Sequence, residues 1–125
     1  MQLAKLMKAM RVFESFSREK LDVALAYKIM KIMQLSYSEK QFYDEGVQKI
    51  IEEYALRDDK GKKIAEDGKW KLDINKEKEM LEAIKTLEET QVEAPSIRFN
   101  LKELHSLKLS VADLMDIEDF LIEEA

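Results

Sequence analysis

Apolar side chains recur at helical spacing along most of this chain. Leu3, Leu6, Met7, Met10 and Phe13 follow the i, i+3, i+4, i+7 rule that gathers apolar groups on one helix face, which predicts an amphipathic helix over 2–16. Lys5, Lys8 and Arg11 lie along its polar side. Ser17 is a candidate N-cap for a second helix, with Glu19 placed to favour its positive end. From Arg18 onward Leu21, Leu25, Ile29, Ile32, Tyr43, Val47, Ile50 and Tyr54 advance in steps of three, four or multiples of these. That stripe predicts one long or slightly bent central helix from about 18 to about 56, roughly 58 Å in length. Two weak points interrupt it: the poor helix formers Ser36-Tyr37-Ser38, and Gly46, which costs about 1 kcal/mol relative to alanine. Two separate helices are the alternative. A helix this long outruns what the rest of the chain can cover, so the stripe itself predicts a partner.

Beyond it, 57–63 is a polar break. Asp67-Gly68 then separates Ile64-Ala65-Glu66 from Lys69-Trp70-Lys71-Leu72. An Asp-Gly pair suits a two-residue type I′ hairpin turn, which needs φ > 0 at both positions. Trp70, Leu72 and Ile74 alternate, so one face of the second strand should cover helices, with Trp70 at least partly buried. Asn75 is read as the cap of a helix over 76–89 with Met80, Leu81, Ile84 and Leu87 as its stripe. Pro95 pushes Ala94 out of the helical region, and 90–100 reads as extended. After a Leu-rich segment over 101–109, Ser110-Val111-Ala112-Asp113 resembles a capping box with Asp in place of Glu. It opens a last helix over 111–124. The fold expected is mainly α: a single helical domain over 1–125 with one long central helix and a small β-hairpin.

Composition narrows the function more by what is missing. There is no cysteine, one histidine (His105), one proline and three glycines in 125 residues. A disulfide framework and thiolate metal sites are excluded. The glycines lie too far apart for a phosphate-binding loop. His105 sits in a Leu-rich segment and reads as a structural or surface residue. Asp113, Asp116 and Asp119 stand at i, i+3 spacing and could in principle hold a hard cation; a solvated helix face is the simpler reading, as it is for Asp58-Asp59. No catalytic residue, cofactor or metal is nominated, and an enzyme is not expected.

Charge is uneven within a net −5. Residues 1–31 carry seven bases against three acids, and 110–125 carry six acids and no base. The two ends read as two solvated faces that could attract each other within the fold or between subunits. No apolar run reaches the roughly 20 residues that span a bilayer, and no secretory leader is read. A cytoplasmic protein that does not engage membranes is the expectation, and the acidic balance argues against nucleic acid. Met30 and Met33 lie on the helix that seeks a partner, and methionine is over-used on adaptable binding surfaces. The tentative interaction residues are therefore Ile29, Met30, Ile32, Met33, Tyr43, Val47, Ile50 and Tyr54.

Two stretches resemble a known family. Leu25-Ala26-Tyr27-Lys28-Ile29-Met30-Lys31 leads into a long charged helix. The tail runs from Pro95-Ser96-Ile97-Arg98-Phe99-Asn100-Leu101-Lys102-Glu103-Leu104 to Leu107-Lys108-Leu109-Ser110-Val111-Ala112-Asp113-Leu114-Met115. Both are similar to a family of small proteins of bacteriophages and prophages of Gram-positive bacteria, known as a domain of unknown function. Where that family has Ser-Pro-Ala-Asp before its last helix, this chain has Val111 in place of proline, which weakens the cap without removing it. The resemblance implies a phage or prophage origin, in the bacterial cytoplasm or on the virion, and brings no catalytic residues. The function expected is a non-enzymatic interaction or assembly protein that binds itself, as a homodimer, or a phage or host protein. The alternative is a small acidic inhibitor of a host defence or nucleic-acid enzyme.

Overall fold

The first expected helix forms as α1 (Leu3–Glu14) in a computed structural model that describes residues 1–122. Its whole predicted stripe, Leu3, Leu6, Met7, Met10 and Phe13, is buried. The chain is mainly helical with one small antiparallel hairpin, as the periodicity predicts. It divides into two compact units. Unit 1 comprises Met1–Lys40 with the segment from Gln91 onward, and unit 2 is Gln41–Thr90.

The long central helix is two helices, α2 (Val23–Leu35) and α3 (Tyr37–Glu53). It also begins later than the pattern suggests. Successive turns closed by Phe16 N–H to Phe13 O, Ser17 N–H to Glu14 O and Glu19 N–H to Phe16 O occupy the stretch where Ser17 was expected to cap a helix. Asp22 stands at the N-cap instead. The break falls at Ser36, with φ −101° and ψ 3°. The hydrogen-bond ladder spans it, from Ser36 N–H to Ile32 O and from Lys40 N–H to Ser36 O, both 3.0 Å. Serine is a poor helix former, and this one is fully buried with no hydrogen-bond partner for its Oγ. Gly46, the other weak point, lies inside α3 without interrupting it.

Unit 1 is held by an aromatic core. Phe13 sits 5.5 Å from Phe99 and 5.7 Å edge-to-face from Phe120, ring centre to ring centre. Leu25, Ile29 and Ile32 of α2 are buried in the same unit, with Leu104 and Ile117. The C-terminal segment reaches this core by short connections. Asn100 opens a single 3-10 turn over Leu101–Leu104 through a reciprocal capping box with Glu103. Ser110 and Asp113 form the predicted capping box of α5 (Val111–Asp116). The last helix is shorter than expected. Ile117 leaves the helical region, Glu118–Phe120 make a 3-10 turn, and Leu121 is extended. The cause is pairing with Phe99: its N–H donates to Phe120 O and its carbonyl accepts from Ile122 N–H, both 2.8 Å. The extended stretch expected over 90–100 has bridges only at Gln91, to Gln2, and at Phe99. Glu123 and Glu124, assigned above to the last helix, lie outside the described residues.

In unit 2 the hairpin forms as read. β1 (Ala65–Glu66) and β2 (Lys69–Trp70) pair antiparallel, Ala65 opposite Trp70. Asp67 (φ 52°) and Gly68 (φ 78°) both adopt the positive φ of a type I′ turn. Isolated bridges Ala55–Leu72 and Arg57–Lys63 extend the pairing. Trp70 is half-buried, with the Lys63 ammonium 5.0 Å from its ring centre. α4 (Glu77–Glu88) follows a 3-10 turn capped by Asp73, which accepts from Asn75 N–H; Asn75 is not the cap. α3 and α4 approach closely at Gly46, where a Cβ would meet a Leu87 methyl at 2.8 Å.

Candidate functional site

A helix with apolar residues on more than one face must bury or partner the faces its own core does not cover. α2 is such a helix: Lys28 and Lys31 are its only charges and share one sector. At 100° per residue, Leu25, Ile29 and Ile32 share the face that enters the core of unit 1. Ala26, Met30, Met33 and Gln34 turn to a neighbouring face and line a cleft of about 530 Å³. Its other walls come from Met10 and Glu14 of α1 and from Phe16, Glu19 and Leu21 of the connecting turn. Tyr37 and Lys40 of α3 close the end. Met10, Phe16 and Ile29 are buried and make an apolar floor. The open side continues onto exposed apolar residues of α2, with Val23 82% exposed, Tyr27 55% and Met30 42%. The cleft and this stripe form one surface, joined at Met30.

The tentative interaction residues divide between the units. Ile29, Met30, Ile32 and Met33 come together in unit 1, but only Met30 and Met33 are open to solvent; Ile29 and Ile32 are core residues. Tyr43, Val47, Ile50 and Tyr54 belong to unit 2, where each is half-buried. Sequence periodicity missed the opposite wall, Glu14, Phe16, Glu19 and Leu21, because a helix stripe says nothing of what stands beside it. The available signal was the second apolar face of α2, marked by Val23, Tyr27 and Met30. A cleft of about 630 Å³ in unit 2 is lined by Gln48, Ile51, Trp70 and the exposed Leu72 among others.

Most of the charged residues considered for chemistry are used structurally. Lys5 pairs with Asp119 at 3.3 Å and Glu118 at 3.7 Å, so the basic and acidic ends meet within unit 1. Asp113 caps α5. Asp58 accepts from the Lys60 and Lys62 N–H groups in a turn. His105 is exposed, and its Nδ1–H donates to the Lys102 carbonyl at 2.7 Å. Lys28 closes the back of unit 1: its ammonium donates to Glu103 at 2.7 Å and to the Arg98 carbonyl at 2.8 Å, 5.3 Å from the Phe99 ring centre. The Lys28 hydrogen bond holds the Glu103 carboxyl below its ordinary pKa, with the Asn100 N–H contributing. Among the described residues no cluster of three or more His, Cys, Asp or Glu is placed to hold a metal, and no helix is long and apolar enough to cross a membrane. No family model, curated protein or solved structure matches the chain.

Proposed function

We propose that this chain is a non-enzymatic interaction or assembly protein of a phage or prophage, acting in the bacterial cytoplasm or on the virion through the α2 cleft. One observation carries the reading. α2 uses one face for the core of unit 1 and still leaves Val23, Tyr27 and Met30 open beside a methionine-lined cleft. Contiguous apolar surface of this kind marks a protein contact site on a soluble protein, and methionine suits a surface that adapts to a partner's side chains. The phage origin rests on the family resemblance of 25–31 and 95–115. The acidic-inhibitor alternative is less well supported, since Glu118 and Asp119 are engaged by Lys5.

The test is a photo-reactive phenylalanine analogue placed at Tyr37, in the cleft, with Lys62 of unit 2 as the control position, in bacterial cells making the protein. A protein adduct formed at position 37 and absent at 62 is the expected result. No adduct at 37, or equal adducts at both, would overturn the reading.

A further inference from the structure

We infer that the occupant of this cleft is a second copy of the chain, packed through α2 in parallel; the inference rests on the reading of the cleft as a contact site. Shape supports it first. A two-fold contact needs one patch that is complementary to itself. Here a projecting stripe, Val23 and Tyr27, adjoins a recess lined by Met33 and Leu21, and Met30 belongs to both. Size supports it next. Tyr27 and Tyr37 are more than half exposed, and an aromatic side chain can bury about 150–250 Å². With Val23, Met30 and Met33, the exposed parts of these side chains supply a large share of the about 800 Å² per partner used by stable interfaces.

Charge then selects the arrangement. Lys28 is turned away to Glu103 and the Arg98 carbonyl. Lys31 stands at the edge of the apolar band beyond Tyr27, its ammonium 5.9 Å from that ring centre. The far edge carries Glu14 and Glu19 on the cleft wall, with Lys40 at the cleft's end. A two-fold axis lying along α2 sets each copy's Lys31 opposite the other copy's Glu14 and Glu19. A two-fold across α2 would instead stack acidic wall on acidic wall, which electrostatic complementarity disfavours. The helices therefore pair in parallel.

Sedimentation equilibrium of the full chain up to about 100 μM, well above a micromolar dissociation constant, tests this with a charge swap. The unmodified chain is expected to dimerise. Lys31→Glu, and separately Glu14→Lys with Glu19→Lys, should each weaken the dimer about tenfold or more by placing like charges together. The chain carrying all three changes should regain affinity to within about threefold of the unmodified one. These side chains are at the surface, and unchanged far-UV circular dichroism verifies each fold. A monomer at about 100 μM, or a triple variant no tighter than its parents, overturns the inference. A monomeric chain that still cross-links a different protein at position 37 rejects the second copy while the cleft reading stands; a monomer with no adduct rejects both.

Discussion

Ser36 is where helix propensity and burial meet at one side chain. Its Oγ is sealed from solvent without a hydrogen-bond partner, and a buried unsatisfied hydroxyl costs about 1–3 kcal/mol. Ser36→Ala should therefore raise unfolding stability by about 1 kcal/mol, measured by urea denaturation; a loss of that size would show that the hydroxyl is satisfied in solution. Glu103 makes a prediction with a pH sign. Its pKa is lowered in the folded chain by the Lys28 hydrogen bond, so its contribution is present above the ordinary value of 4.5 and is lost as pH falls through the folded value. Glu103→Gln keeps an oxygen for the Asn100 N–H but removes the charge. At pH 7 it should cost about 0.2–1 kcal/mol, since the pair is about one-third exposed and screened. Denaturation at progressively lower pH should bring variant and parent together as the Glu103 carboxyl is protonated, and a difference that does not shrink on acidification would contradict the pairing.

At the scale of elements, what periodicity could read is what buries against its own unit. α1 places its whole predicted stripe in the core because five residues at helical spacing leave no other face to bury. The Asp67-Gly68 turn was legible because two positive φ values demand such residues. The Ser36 break was marked by its poor helix formers, though the stripe favoured reading through it; the boundaries around Ser17 and Ile117 were not legible, because they are set by the turns after Phe13 and the bridge from Phe99. Gly46 shows the same limit. Propensity marks it as a weak point, whereas its place is explained by Leu87 of α4, against which a Cβ would close to 2.8 Å. Gly46→Ala should gain little on its own, since the propensity gain of about 1 kcal/mol is offset by displacing Leu87. In a Leu87→Ala background the full gain should appear. A double-mutant cycle by urea denaturation checks this, and equal effects in both backgrounds would mean the two helices do not meet there.

For the whole molecule, the contact surface falls on α2, where exposed Val23, Tyr27 and Met30 adjoin a methionine-lined cleft. The sequence indicated that surface through Met30 and Met33 but extended it along the stripe into Tyr43, Val47, Ile50 and Tyr54. The cleft itself was invisible, since its acidic wall at Glu14 and Glu19 is brought beside α2 only by the turn that follows α1. The most direct measurement is a photo-cross-linking scan along α2 in bacterial cells, with the reactive side chain placed in turn at 23, 24, 27, 28, 30, 31 and 34. The account predicts adducts with helical periodicity, strong at 23, 27, 30 and 34 and weak at 24 and 28. Adducts spread evenly around the helix, or confined to 24 and 28, would contradict it.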